Sequence, residues 1–212
     1  MDDCCALATN PRRDGRIIHE TPNFFVSAAL GSMGVPGYVL IVPHEHYIGT
    51  GDMPSELHRE LDDLMQQTRC VLKQVYGAEP FFFEHGPRVG RCGWGGCIDH
   101  AHLHALPGVD VTDSFAVDLI RQLKDDGHFY RVDKTEGFTR AAEIYSRRQT
   151  SYVMVQTLER GRLFSEVTFP GQSQWMRRLI ADQLHTPFWN WRTHPGTARA
   201  MQTAHELAGK FN

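Results

Sequence analysis

Gly95-Gly96-Cys97-Ile98-Asp99-His100-Ala101-His102-Leu103-His104-Ala105-Leu106-Pro107 is the stretch from which the rest of the chain can be read. Three histidines alternate with small or apolar residues. In an extended strand successive side chains point to opposite faces, so His100, His102 and His104 line one face. Ala101, Leu103 and Ala105 then take the other face, with Asp99 beside them. A helix would spread the same histidines over about 200° and give no common site. The spacing therefore predicts a strand bearing a row of imidazoles, preceded by a loop with glycines at 90, 93, 95 and 96. A single strand histidine ordinarily carries no chemistry, whereas three in register point to a site. Two chemistries suit such a row. Neutral imidazoles in an H-x-H pair can ligate a transition metal. Alternatively, one ring is a nucleophile and the others orient and polarise.

Working outward, residues 16–28 read as strand, Thr21-Pro22-Asn23 turn and strand. The apolar run 38–42 reads as a buried central strand ended by Pro43, with His46 just beyond. Residues 55–76 carry Leu57, Leu61, Leu64, Met65, Thr68, Val71, Leu72 and Val75 at intervals of three and four, which predicts a helix with one core-facing stripe and a stop at Gly77. Phe81-Phe82-Phe83-Glu84 reads as a strand leading to His85-Gly86. Beyond Pro107, Thr112 is placed to cap a helix over 113–126. A short helix is expected over 139–147. Residues 151–158 and 163–169 read as a hairpin, 173–184 as a helix, and a last helix opens at 193–195 and runs to 208. No internal repeat or low-complexity linker is visible.

The composition narrows the function classes. With 212 residues, 41% hydrophobic and 22% charged, the chain has the make-up of a globular protein with a substantial core. A net charge of −3 offers no basic footprint for nucleic acid, so no nucleic-acid partner is expected. No apolar run reaches the ~20 residues of a membrane span, and the start Met1-Asp2-Asp3-Cys4-Cys5 lacks a signal-peptide apolar region. Five scattered cysteines suit a reducing, cytoplasmic setting. Adjacent Cys4 and Cys5 cannot easily supply two vertices of one tetrahedral zinc site, and Cys92 and Cys97 fit no standard zinc spacing. No metal and no cofactor are assigned.

His100-Ala101-His102-Leu103-His104-Ala105-Leu106 resembles the H-φ-H-φ-H-φ-φ signature of the histidine triad (HIT) superfamily of nucleotide hydrolases and transferases. Two flanking segments resemble the same family: Gly37-Tyr38-Val39-Leu40-Ile41-Val42-Pro43-His44-Glu45-His46, and Glu84-His85-Gly86-Pro87-Arg88-Val89-Gly90. The resemblance covers about residues 4–107. Longer bacterial HIT-like proteins are similar in the Asp99–His104 run and in the Ser173–Arg178 and Trp189–Arg192 segments.

The resemblance implies an α+β, HIT-like fold: an antiparallel central sheet with packed helices over 1–108, and an α/β C-terminal extension over 109–212 packed on it. It implies attack by His102 on an α-phosphorus through a nucleotidyl-histidine intermediate. His100 would hold the ring tautomer through its carbonyl, His104 would donate to phosphate, and His46 would support the row. Expected substrate contacts are Glu84, His85, Gly86, Arg91, Gly95, Gly96 and Cys97, completed by Gln174 and Arg178 from the extension. Glycine amides and arginine suit an anion. A carboxylate at Glu84 repels phosphate unless protonated or turned away, and could instead orient a histidine. The acidic residue that holds the ribose in many members, seven before Gly37, is here Leu30. Histidine at 104, rather than the glutamine of the sugar-phosphate transferase branch, favours hydrolysis or phosphorolysis. The partner expected is a nucleotide or nucleotide conjugate, with a homodimer as the family's frequent assembly. Transfer to a small acceptor, a nucleotide-binding or sensing module, and a His-ligated metalloenzyme are the alternatives.

Overall fold

The computed structural model describes residues 15–87, 100–109, 118, 133–135, 137–148, 150–157, 161–167 and 174–211. Among the described residues eight strands form one sheet in the order β1-β2-β3-β5-β4-β7-β8-β6, with every neighbouring pair antiparallel. The strands are β1 (Ile17–Glu20), β2 (Phe24–Ala28), β3 (Val39–Pro43), β4 (Pro80–Gly86), β5 (Leu103–Pro107), β6 (Asp133–Thr135), β7 (Ser151–Thr157) and β8 (Gly161–Val167). The fold class is α+β, as the sequence predicts. The strands that follow residue 108 continue the same sheet, β7 pairing directly with β4.

The central strands are buried on both faces, and alternation sorts their side chains into two cores. One face gathers Phe25, Leu40, Val42, Phe81, Phe83, Leu106, Val153 and Val155. Helix α3 (Trp175–Gln183) covers it with Met176, Ile180 and Ala181, and Trp189 and Trp191 pack at its margin. The opposite face gathers Val26, Val39, Ile41, Phe82, Leu103, Ala105, Tyr152 and Met154 under α1 (Glu56–Tyr76). The α1 stripe of Leu61, Leu64, Met65, Val71 and Leu72 is buried there. Gly77 ends α1 at φ +70° and donates its N–H to the Lys73 carbonyl, as its position predicts.

Helix α2 (Thr139–Glu143) runs on into a π-helical turn at Ile144–Arg148. Helix α4 (Thr197–Leu207) starts later than the sequence suggests, because the preceding segment docks its Pro195 carbonyl on the Gly31 amide at 2.6 Å. The expected helix over 113–126 lies outside the described residues apart from 118, which is helical. Among the described residues no helix is long and apolar enough to cross a membrane.

One strand differs from expectation in a way that shapes the site. β5 begins at Leu103, so His100 and His102 precede the ladder. The recorded β3 pairing ends at Ile41 opposite Leu103. Two residues further along β3 stands Pro43, which has no N–H to give. The chain turns to other partners: the Ala101 amide donates to the Tyr47 carbonyl at 2.6 Å, and a ring nitrogen of His100 meets the Pro43 carbonyl at 2.8 Å.

Below the sheet, on the α1 side, sits a buried carboxyl. Glu84 Oε1 accepts the Thr50 amide at 2.6 Å, and Oε2 accepts the Thr50 and Tyr152 hydroxyls at 2.5 and 3.0 Å. This ties the 3-10 turn Thr50–Asp52 to strands β4 and β7. Burial pushes the Glu84 pKa up to about 7, against the opposing pull of the Thr50 and Tyr152 hydrogen bonds. Gly86 lies directly over the Tyr152 ring: a Cβ there would stand 2.1 Å from Cζ.

Two outcomes follow. Gly86→Ala drives a methyl into a ring whose hydroxyl is anchored by Glu84 and the Gly51 amide. It is expected to lower stability by about 1–3 kcal/mol, read as a reduced urea midpoint at constant slope. Glu84 binds its proton more tightly folded than unfolded, so its contribution is fully present below the ordinary carboxyl pKa of 4.5 and is lost as pH rises through about 7. The loss is on the order of 3 kcal/mol at about 1.4 kcal/mol per tenfold. Urea titrations at pH 4.5 and 8 should show the pH dependence of wild type minus Glu84→Gln falling by that order. A constant difference would refute the assignment.

Candidate active site

His100, His102 and His104 converge at the β3-facing start of β5, and each ring is held differently. His104 is inside the ladder, opposite Leu40 on β3 and Phe83 on β4. It therefore belongs to the α3-covered face, and only 8% of it is exposed. Its ring stacks on Phe83 with centroids 4.2 Å apart and planes 7° apart. The His102 ring stands edge-on to it at 4.8 Å and 73°. His102 is half-buried, as a group that must meet a ligand requires.

The hydrogen bonds set the protons. His102 Nδ1 is 2.8 Å from the His100 carbonyl oxygen. A carbonyl only accepts, so Nδ1 carries the hydrogen, and in the neutral ring Nε2 keeps its lone pair. His100 Nε2 likewise donates to the Pro43 carbonyl at 2.8 Å, which pins the carbonyl that orients His102. His46, on the exposed loop after β3, sets its ring edge-on to His100 at 5.2 Å and 77°. Proline at the end of β3 thus performs two tasks, stopping the ladder and supplying an acceptor.

His85 lies on the same sheet face as Phe83, two residues along β4, and pairs across to Val153. Burial, then the charge of His102, lowers its pKa to about 4. Burial, then the charges of His102, Arg177 and His85, holds His104 well below the ordinary imidazole value. Both rings are consequently neutral near pH 7. A row of neutral rings beside His102 presents N–H donors and lone pairs without the repulsion that clustered imidazolium ions would suffer.

Strand parity corrects two expectations. Glu84 and Gly86 alternate with His85 and face the opposite core, so they do not reach the histidines. The Glu84 carboxylate is turned away and spent on Thr50 and Tyr152; it orients no histidine. Gly86 is glycine because Tyr152 needs the space. The extension places Gln174 and Arg178 beside the 189–192 segment. The Gln174 amide is committed to Asn190 Oδ1 at 2.9 Å and the Trp191 amide at 3.0 Å, and exposed Arg178 stacks over Trp189. These two brace the 189–192 segment; the residue that reaches the row is their neighbour Arg177. Arg91, Gly95, Gly96 and Cys97 lie outside the described residues.

Two members of the network were not singled out from sequence. Tyr38 Oη is 2.6 Å from His104 Nδ1, and Arg177 Nη1 donates to that same oxygen at 3.1 Å. Helical spacing holds a signal for Arg177, which stands four before buried Ala181 and three before buried Ile180. Leu30, at the position of the family's ribose-holding carboxylate, packs against Ala28, Ala200 and Ala204. The adjoining Gly31, at φ +64°, is overlain by Trp191, whose Cβ would lie 2.5 Å from an added Cβ. Among the described residues no three His, Cys, Asp or Glu side chains are grouped to hold a metal ion.

No family model and no curated protein matches the sequence. Solved structures do. A hypothetical histidine triad nucleotide-binding protein from Sulfolobus tokodaii is similar at 20% identity and TM-score 0.41, over 50% of this chain and 68% of that one. A Hit-like protein involved in cell-cycle regulation from Bartonella henselae is similar at 16% and 0.40, over 48% and 74%. A HIT family hydrolase from Clostridium thermocellum is similar at 21% and 0.39, over 53% and 96%.

Proposed function

We propose that the protein is a nucleotide hydrolase that works at an α-phosphorus through a covalent nucleotidyl-histidine intermediate on His102. The observation that carries the reading is the hydrogen bond from His102 Nδ1 to the His100 carbonyl at 2.8 Å, which fixes the proton on Nδ1 of a half-buried imidazole and so, in the uncharged ring, puts the lone pair on Nε2.

In the first step the Nε2 lone pair forms a bond to phosphorus and the bond from phosphorus to the leaving-group oxygen or nitrogen breaks. That atom leaves with the electron pair and is protonated by solvent. The positive charge on the His102 ring is met by the carbonyl of His100, which is itself held through the His100 ring on Pro43. His104, neutral and adjacent at 4.8 Å, offers an N–H to a phosphoryl oxygen. In the second step water attacks phosphorus, the phosphorus–nitrogen bond breaks, and Nε2 recovers its lone pair as the nucleoside monophosphate departs. A small-molecule acceptor in place of water would make the same intermediate serve transfer.

The test is intact-protein mass after rapid quenching at neutral or alkaline pH, with AMP-morpholidate, diadenosine polyphosphates, and CMP and UMP conjugates. Wild type should gain one nucleoside monophosphate, whose mass reports the base. His102→Ala should gain none and should lose more than roughly 10^3-fold in kcat. Turnover by His102→Ala at the wild-type rate, or no adduct and no turnover by wild type with any member of the panel, would overturn the reading.

A further inference from the structure

We infer that Tyr38 and Arg177 are positioning residues that fix the tautomer of His104, and that α3 in the second half of the chain thereby sets which nitrogen of the histidine row carries a proton. The consequence for catalysis rests on the function proposed above; the tautomer itself does not.

The argument is one of donors and acceptors. A guanidinium has five N–H donors and no acceptor. Arg177 directs three of them at neutral oxygens: Nε at the Trp189 carbonyl at 2.9 Å, Nη2 at the Gly31 carbonyl, and Nη1 at Tyr38 Oη at 3.1 Å. The tyrosine oxygen therefore accepts from Arg177. Its own hydrogen needs an acceptor, and His104 Nδ1 at 2.6 Å is the one on offer among the described residues. Were Nδ1 protonated instead, two N–H groups would converge on one oxygen and a buried phenol hydrogen would be stranded, an arrangement that costs the full desolvation of that group.

The neutral state of His104 closes the argument. Burial keeps the Tyr38 phenol protonated, outweighing the pull of Arg177, and burial with the nearby positive charges keeps the His104 ring uncharged, with a single ring hydrogen to place. A neutral ring that accepts at Nδ1 must carry its hydrogen at Nε2. That nitrogen is then a fixed donor. The wrong tautomer would turn a lone pair toward a phosphoryl oxygen.

Arg177 also brings a buried cation to within one hydroxyl of the row, with no carboxylate of a described residue paired to it. Its carbonyl partners come from two separate stretches, Gly31 after β2 and Trp189 after α3. The packing of the Trp189–Trp191 segment is in this way coupled to the protonation pattern of β5.

Long-range 1H–15N correlation spectra of uniformly 15N-labelled protein, recorded without substrate, test this directly. His104→Gln identifies the His104 signals by their loss. Wild type should show His104 with a protonated Nε2 and a hydrogen-bonded, unprotonated Nδ1 that does not titrate between pH 5.5 and 8. Tyr38→Phe keeps the ring's packing and removes the hydroxyl. It should move the Nδ1 signal to the unbonded position, bring in the Nδ1–H tautomer, and lower kcat by about tenfold or more with KM changed less than about threefold. Arg177→Met should do the same in part, and Arg177→Lys, which keeps a donor, should restore most of the wild-type pattern.

A wild-type His104 protonated at Nδ1, or a Tyr38→Phe spectrum unchanged from wild type in a folded protein, would overturn the inference. Because the spectra need no ligand, the expected tautomer together with no nucleotide turnover would refute the proposed function alone.

Discussion

Strand β5 runs between β3 and β4 with a core on each side, and His104 is its second residue. A histidine in that position cannot remain charged. Burial removes the charge, Phe83 stacks on one plane, and Tyr38 satisfies Nδ1. Tyr38 in turn must be held, and Arg177 holds it from across the sheet face. Much of the site's polar construction follows from admitting one imidazole to an apolar ladder.

The row is asymmetric for the same reason. His104 is inside the ladder and His102 is just outside it, because Pro43 cannot extend the pairing. The freed backbone is not wasted. The His100 carbonyl turns to His102 Nδ1, the Pro43 carbonyl takes the His100 ring, and the Ala101 amide finds Tyr47. Ending a strand at this point produces a half-buried ring with a set tautomer next to a buried ring with a set tautomer. The first is suited to attack and the second to donation.

The two faces of β4 show how strictly parity separates tasks. Phe83 and His85 belong to the histidine side. Glu84 and Gly86 belong to the α1 side, where the carboxyl fastens the turn at Thr50–Asp52 and the glycine makes room for Tyr152. The turn and the histidine loop are neighbours in sequence, so the α1 side supports the loop that carries His46 without touching the chemistry.

Alternation and apolar spacing in the sequence determined the strands around residues 24–28, 39–43, 80–86 and 151–167, the long helix ending at Gly77, and the grouping of His100, His102 and His104. Those are local properties, set by a period of two or 3.6 residues and by the backbone demands of glycine and proline. The sequence also placed the alternating residues Ala101, Leu103 and Ala105 in a core, where they lie. Tertiary structure alone decided where the ladder stops, that Glu84 faces away from the histidines, and that Arg177 reaches the row. Each depends on a partner far along the chain: Arg177 meets Tyr38 across 139 positions and Glu84 meets Tyr152 across 68. No local period encodes such distances; the docking of α3 on one sheet face brings Arg177 to Tyr38, and the pairing of β7 with β4 brings Tyr152 to Glu84.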